Sequence, residues 1–321
     1  MPAWRRWAKW GLLLLLLTMV FSLVLVWQTG WLAQLYYQLS IPGSQSSHGA
    51  VDRLGLADYQ VSIDARPIEG IADDASGLTF HPQRKTLFTV LNHPPHIVEL
   101  DTQGRLLRKI PVRGASDLEG ITHVEGDYFV ITDEASHQLY RVVVSDGTRE
   151  IDVSSAPRFG LGLGIGKRKN VGYEGVSWDH VNHRLLVVKE KNPLRVFAIS
   201  GLRDLLGSGR FDLQIDEWRP AGSAPLMMTD LSSLTYHEPT AHLLLLSDES
   251  RLVVEFDEDG YPVGLLALRA GWHGLRKTVP QAEGLAVGED GALYVLSEPN
   301  LFYRFEPPRP AQPASSAGLS Q

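Results

Sequence analysis

SDLEGITHVEGDYFVITDE, residues 116–134, has the pattern of two short strands joined by a turn, with acidic residues at both outer ends. The first strand begins at EGI, the turn is VEGD, and the second strand is the apolar run YFVITD. The same layout returns in GYEGVSWDHVNHRLLVVKE (172–190) and in QAEGLAVGEDGALYVLSE (281–298). A pattern that recurs at this scale is typical of repeat proteins such as β-propellers.

Five such units can be aligned, and their first strands begin 43 to 58 residues apart. Each unit continues with a third strand of alternating character. Four units also contain a predicted fourth strand, at 105–112, 148–155, 211–218 and 263–269. The fifth unit has none, because a Pro/Ala/Ser-rich tail follows Phe305, but an alternating segment at 57–68 precedes the first unit.

These observations predict an all-β fold, a five-bladed β-propeller of four-stranded antiparallel blades over residues 55–306. The strand at 57–68 would complete the last blade, which closes the ring without a free edge. An antiparallel sandwich would not explain why one strand is missing at the end and spare at the beginning. Residues 307–321 are expected to be a disordered tail.

The N-terminal residues predict one transmembrane helix before the propeller. Residues 10–27 are almost entirely apolar, and Arg5, Arg6 and Lys9 precede them. Eighteen helical residues span about 27 Å, close to the thickness of a hydrocarbon core, and the basic residues favour a cytoplasmic N-terminus. A cleaved signal peptide is the alternative, but no A-x-A-like site follows. We therefore expect a cytoplasmic stub and anchor over 1–40 and a linker over 41–54.

Charge and composition limit the partners. The first 40 residues hold three basic residues and no acids, so the rest of the chain has 27 basic and 37 acidic residues, a net charge of −10. An acidic outer domain argues against nucleic acid or anionic lipid as a main partner and favours a cation ligand. The chain contains no cysteine, which excludes disulfides and a cysteine nucleophile.

In a propeller, the start of each first strand and the end of each second strand lie at the same mouth of the central channel. The inner positions are Ser76, Glu119, Glu174, Ser232 and Glu283. The outer positions are Asn92, Asp133, Glu190, Asp248 and Glu298. All ten side chains carry oxygen and seven are acidic, so that they would repel one another unless they took up protons or a cation.

Oxygen ligands without cysteine or patterned histidine fit calcium better than zinc. We therefore predict a Ca²⁺ site formed from eight of these positions: Glu119, Glu174, Glu283, Asn92, Asp133, Glu190, Asp248 and Glu298. Solvated acids at strand ends are the alternative explanation, and it weakens because three Glu-Gly pairs align within one repeat array.

The segments DASGLTFHP, DLEGI, GYEGVSWD, LLLLSDES and QAEGLAV resemble the SdiA-regulated (YjiK-like) family of bacterial proteins. The resemblance covers roughly residues 55–306 and extends to the N-terminal anchor. It implies a five-bladed propeller distantly related to NHL repeats and calcium binding by Glu119, Glu174, Glu283 and their neighbours. Ser76 and Ser232 depart from the Glu-Gly pattern, so a symmetric ring of five glutamates is excluded.

These features predict a protein of the bacterial inner membrane, with a single span through residues 10–27 and the propeller in the periplasm. The first functional hypothesis is a calcium-binding module for a small anionic ligand or a protein partner at the channel mouth. The second is a calcium-dependent hydrolase of a lactone, ester or phosphoester. In that case an outer acid or His93 would activate water, and the basic loop at 160–170 would offer cations to an anion.

Overall fold

We describe a computed structural model of the chain, which covers residues 3–43, 53–160, 173–191, 193–202 and 213–308. Within these ranges the chain forms two N-terminal helices and five β-sheets. The helices are α1 (Ala3–Gln28) and α2 (Trp31–Ser40), and short 3₁₀ turns follow at Ile41–Gly43 and Leu56–Asp58.

The strands are grouped into five blades in chain order, apart from β1 (Gln60–Pro67), which belongs to the last blade. Blade 1 contains β2 (Ala75–His81), β3 (Thr86–Leu91), β4 (His96–Leu100) and β5 (Leu106–Arg113). Blade 2 contains β6 (Leu118–Glu125), β7 (Tyr128–Asp133), β8 (Gln138–Val143) and β10 (Arg158–Gly160). The short strand β9 (Ile151–Asp152) lies between β8 and β10 in the sequence but pairs with β5 of blade 1.

Blade 3 contains β11 (Tyr173–Asp179), β12 (Arg184–Lys189), β13 (Arg195–Ser200) and β14 (Gln214–Trp218). Blade 4 contains β15 (Ser233–His237), β16 (His242–Ser247), β17 (Leu252–Phe256) and β18 (Pro262–Ala267). Blade 5 contains β19 (Gln281–Val287), β20 (Leu293–Glu298) and β21 (Leu301–Glu306), with β1 as its outer strand.

The five blades close into a ring. Each inner strand packs against the inner strand of the next blade, and β19 returns to β2. β1 pairs antiparallel with β21, so that the spare N-terminal strand supplies the outer edge that the last blade lacks. The predicted five-bladed propeller of four-stranded antiparallel blades is confirmed.

Five apolar clusters lie between neighbouring blades and form the core. A second strand such as β16 has every residue buried, because both faces of a blade are covered by its neighbours. This explains why second strands are continuous apolar runs, such as LLLL at 243–246, where a half-exposed strand would alternate.

One predicted strand is wrong. The segment 148–155 does not form the outer strand of blade 2; its residues Ile151 and Asp152 pair in parallel with β5 of blade 1. The Asp152 carboxylate accepts a hydrogen bond from the Ser154 amide and starts a 3₁₀ turn, which ends the strand. The chain returns to blade 2 only at β10, which pairs with β8.

The N-terminal segment contacts the propeller before the predicted linker begins. Ala33 and Tyr37 of α2 join the apolar cluster between blades 3 and 4. The predicted linker and tail lie largely outside the described residues, although the Leu54 amide donates to Glu255 of blade 4. Within the described residues, no helix is both long and apolar enough to cross a membrane.

Candidate metal centre

Each of the three Glu-Gly pairs lies in a β-bulge. In blade 2, Leu118 pairs with Asp133 and Ile121 pairs with Ile131, so the inner strand holds one extra residue between these pairs. The same irregularity occurs around Glu174 and Glu283. A bulge changes the direction in which a side chain points, and here it occurs at the position that carries the glutamate.

Blade 4 lacks both the glutamate and the bulge. Its inner strand pairs in regular register from Ser233 to His237, and the residue before it is Ser232. The Ser232 hydroxyl donates to the Ala282 carbonyl of blade 5 over 2.7 Å. In blade 1 the Ser76 hydroxyl donates to the Glu119 carbonyl of blade 2 over 2.8 Å. The two inner serines therefore link neighbouring blades.

The glycines that follow the inner residues allow the inner strands to approach closely. A Cβ atom at Gly120 would lie 2.7 Å from the Glu174 carbonyl oxygen, and one at Gly175 would lie 2.9 Å from Ser233 Cα. Any larger residue would push neighbouring blades apart. The crowding near the channel axis thus explains why glycine follows these glutamates.

At this mouth the carboxylates surround a cavity of about 320 Å³, which we call the acidic cavity. All three inner glutamates line it, together with three outer residues: Glu190, Asp248 and Glu298. Four further acids complete the lining or approach it, and the only cationic group among the described lining residues is Lys191. None of the described residues lining the cavity is a histidine or cysteine.

The remaining two predicted ligands lie beside the cavity. The Asn92 amide donates to Glu119 Oε1 over 2.7 Å, and its own oxygen is buried without a hydrogen-bond partner. Asp133 is buried and accepts a 3.4 Å hydrogen bond from the Ser116 amide. Its other oxygen, Oδ1, is also buried without a partner.

Four acids that the sequence analysis did not single out are Asp117, Glu134, Asp230 and Glu249. Asp117, Glu119 and Glu134 each place one carboxylate oxygen within 4.8 Å of the others. Glu134, Asp230 and Glu249 line the acidic cavity. Acidic doublets were the available signal, since Glu134 follows Asp133 and Glu249 follows Asp248.

Burial raises the pKa of each inner glutamate. The pKa of Glu119 rises to about 8, and the carboxylates of Asp117 and Glu134 add to the effect. The pKa of Glu283 rises to about 9, first from burial and then from Asp248 and Glu298. Burial and then Glu119 raise the pKa of Glu174 well above its usual range. Without a cation, these carboxyls would hold protons at neutral pH.

The outer acids are partly neutralised by nearby cations. Lys191 Nζ lies 2.8 Å from Glu190 and 2.8 Å from Glu249. Arg251 donates to Asp248 over 2.6 Å, although burial still raises the pKa of that carboxyl. Burial also raises the pKa of Asp230 to about 6. The inner glutamates have no such cationic partner among the described residues lining the cavity, so protons or a bound cation must relieve their mutual repulsion.

Of the secondary candidates, His93 does not line the acidic cavity, although it lies near enough to Asp117 to lower the pKa of that carboxyl, which burial raises first. The His93 side chain is 71% exposed, with Nδ1 3.7 Å from Asp74. Residues 161–172, which contain most of the basic loop, lie outside the described part of the chain. His180 lines a separate cavity of about 230 Å³ at the opposite mouth.

The donor set fits a hard divalent cation. The described lining offers carboxylate, hydroxyl and carboxamide oxygens, which are the ligands that calcium prefers. The buried, unpartnered oxygen of Asn92 adds a neutral donor beside Glu119. A cation at this position would also remove the electrostatic cost of ionising the three inner glutamates.

The SdiA-regulated family model matches residues 52–306, which is most of the chain and includes all five blades and β1. The chain belongs to the SdiA-regulated family. The family resemblance expected from the Glu-Gly repeats is thereby confirmed.

Solved structures are similar at low identity. The luciferin-regenerating enzyme matches with 12% identity and a TM-score of 0.48, covering 77% of this chain and 95% of its own. A streptogramin B lyase matches with 9% identity and a TM-score of 0.45, covering 78% and 99%. A nidogen/laminin complex matches with 14% identity and a TM-score of 0.45, covering 70% and 73%. At these levels the similarities carry no argument about activity.

Proposed function

We propose that this SdiA-regulated protein is a calcium-binding propeller that serves as a ligand- or partner-binding module. The observation that carries the proposal is the acidic cavity, where carboxylates outnumber the single described cation, Lys191. Glu119, Glu174 and Glu283 would hold the ion from the inner strands, with Asn92 and the outer acids Asp133, Glu190, Asp248 and Glu298 around them. The bound ion would stiffen the ring and present a positive charge to an anionic ligand or an acidic protein surface.

The test is the melting temperature of the full chain in detergent, after chelation and with excess calcium. Binding to the native state alone at one hundred times the dissociation constant adds about 2.7 kcal/mol to stability. We expect this gain to disappear in the double variant Glu119→Gln, Glu174→Gln. The control is Glu238→Gln, Glu289→Gln, which changes two carboxylates at the opposite mouth. No calcium-dependent shift in protein that is metal-free at the start would refute the proposal.

A second candidate is the calcium-dependent hydrolase, and the volume of the acidic cavity favours it. About 320 Å³ lies at the lower end of the range for small-molecule sites. A panel of lactones, esters and phosphoesters would test it. Turnover that requires calcium and is lost in Glu119→Gln, Glu174→Gln would identify an enzyme, whereas ligand binding without turnover would support the binding module.

We further propose that α1 anchors the chain in the bacterial inner membrane, with the propeller in the periplasm. The apolar run at 10–27 and the preceding basic residues support this topology. Large side chains of α1 such as Leu12, Leu15 and Leu17 are exposed, without cover from the propeller. Because the chain contains no cysteine, Val181→Cys in the propeller can report topology: an impermeant maleimide should label it from the periplasmic side. Labelling only after lysis of the inner membrane would contradict this topology.

A further inference from the structure

Helix α2 has two apolar sides, and only one of them is covered. Ala33, Gln34 and Tyr37 are buried against the propeller. Trp31, Leu35 and Leu39 are exposed by 47%, 51% and 71%. These three residues are spaced by four positions, so they form one stripe along the helix. The helix has no charged residue, so no charged side chain of α2 flanks the stripe.

The covered side of α2 is attached to the wall between blades 3 and 4. The Tyr37 hydroxyl accepts a 3.1 Å hydrogen bond from the Met227 amide, and its ring packs edge-to-face on Phe256. At the elbow between the helices, Gly30 has a φ of 70° and lies against Ser250. A Cβ atom on Gly30 would lie 2.4 Å from Ser250 Cα, so only glycine fits there.

Arg269 of blade 4 holds the elbow in place. Its guanidinium donates to Gln34 Oε1 over 2.9 Å and to the Ser250 carbonyl over 3.1 Å, and it also donates to the Thr29 carbonyl. The same group lies 4.4 Å from the centre of the Trp31 ring, in a cation–π contact. One side chain thus joins the end of α1, the start of α2 and the loop after β16.

We propose that α2 is an interfacial helix that lies on the phospholipid bilayer, with Trp31, Leu35 and Leu39 as its contact with lipid. The proposal rests on the membrane anchoring proposed above. The bilayer is favoured over another protein because the stripe continues the exposed apolar surface of α1 across the two-residue elbow Thr29–Gly30. Tryptophan and leucine are among the side chains expected at the boundary between headgroups and acyl chains.

This arrangement places the acidic cavity at the membrane surface. Ser250, which contacts Gly30, directly follows Asp248 and Glu249 in the cavity wall. The cavity-lining residue Glu249 is thus adjacent in sequence to a residue that contacts the elbow between α1 and α2.

The experiment uses single-cysteine variants of the naturally cysteine-free full chain, labelled with the fluorophore NBD and reconstituted in phosphatidylcholine/phosphatidylglycerol vesicles. Leu35→Cys and Leu39→Cys report the stripe, Leu16→Cys reports the anchor and Val181→Cys is an exposed control. We expect labels at 35 and 39 to shift to shorter emission wavelengths, to resist aqueous iodide and to be quenched by lipid that carries a shallow doxyl group. The label at 181 should keep its longer emission wavelength, be quenched by iodide and not be quenched by doxyl lipid.

The remaining outcomes each overturn the proposal in a distinguishable way. Labels at 35 and 39 that iodide quenches, with the label at 16 in lipid, would leave the anchor intact and refute the interfacial helix. Labels shielded from iodide but not quenched by doxyl lipid would show that a second copy or another protein covers the stripe. A label at 16 that iodide quenches would refute the anchor and the interfacial helix together.

Discussion

The side-chain amide of Asn92 donates a 2.7 Å hydrogen bond to Glu119 Oε1. Asn92 follows the second strand of blade 1, whereas Glu119 begins the inner strand of blade 2. The bond therefore joins two blades at the rim of the acidic cavity. The Asn92 oxygen is buried without a hydrogen-bond partner. The side chain therefore donates to one carboxylate and keeps an oxygen that could bind a cation.

Replacing Asn92 by aspartate should destabilise the metal-free protein and strengthen its response to calcium. Asn92→Asp removes the donated hydrogen bond, which should cost about 1–3 kcal/mol. At a pH above the Glu119 pKa of about 8, it also places a second ionised carboxylate against Glu119. A bound cation would offset part of that repulsion. Chemical denaturation with chelator and with calcium measures both effects.

Asn182→Asp is the matched control for this prediction. The Asn182 amide donates to Asp179 over 2.8 Å, but this pair lies in the turn at the opposite mouth. Calcium should not compensate its loss. Equal calcium responses of the two variants would argue that Asn92 is not near a cation.

The stability of the metal-free protein should fall as the pH rises from about 5 to about 9. The folded pKa values of Glu119, about 8, and Glu283, about 9, lie above the ordinary value of 4.5. The folded state therefore holds protons that the unfolded state has released, and its advantage is lost as the pH passes through the folded pKa values. Each group contributes at most about 1.4 kcal/mol per pH unit.

Calcium should reverse this trend, because the ion displaces those protons and binds more tightly as the pH rises. Melting temperatures at pH 5.5 and 8.5, with and without calcium, would therefore diverge at the higher pH. The double variant Glu119→Gln, Glu283→Gln cannot ionise at these positions and should show a flatter pH profile. A steep profile that survives in this variant would assign the titration to other groups.

Adding one methyl group at Gly120 should loosen the ring. The new Cβ atom would lie 2.7 Å from the Glu174 carbonyl oxygen of the next blade. Gly120→Ala should cost about 1–3 kcal/mol, because the inner strands must move apart. The measurement is the denaturation midpoint, and Gly147→Ala is the control, since its nearest neighbouring atom would lie 4.0 Å away. Similar losses of stability in both variants would show that the close approach of the inner strands at Gly120 is not the cause.

Removing the Arg269 guanidinium should release α2 from blade 4 without unfolding the propeller. Arg269→Met leaves the Oε1 atom of buried Gln34 without this donor, which costs about 1–3 kcal/mol locally. Hydrogen exchange should speed up in 31–40 and stay slow in the blades. The control Arg276→Met removes an exposed guanidinium that contacts Asp64, through an ion pair and a hydrogen bond to its carbonyl, and should leave exchange in α2 unchanged. Unchanged hydrogen-exchange rates in α2 would contradict the role of Arg269 in holding this helix against blade 4.

The architecture could be predicted because the repeat is local. Each blade repeats a strand, a turn and an apolar second strand within one short segment, and the missing last strand has its counterpart at 57–68. The error at 148–155 has an equally local cause. Only Ile151 and Asp152 of that segment form a strand, because the turn that Asp152 starts ends it there. Contacts between blades decide that this short strand joins blade 1.

The positions of the inner glutamates could also be predicted, since antiparallel pairing determines which strand ends share a mouth. The β-bulges at Glu119, Glu174 and Glu283 could not be predicted, although glycine within a strand often marks a bulge. The docking of α2 was missed because an apolar helix next to an apolar run was assigned to the membrane anchor as a whole. On its buried side, the Tyr37 hydroxyl bonds to the Met227 amide, 190 residues away in the sequence.

The sequence by itself determined the number of blades, the closure of the ring and the mouth at which acids gather, because strand period and strand direction are properties of neighbouring residues. Only the tertiary structure decided how those acids are charged. Lys191 and Arg251 neutralise outer carboxylates, while burial raises the pKa of Glu119 and Glu283. Desolvation and Coulomb energies depend on distances between blades, and no single repeat contains that information.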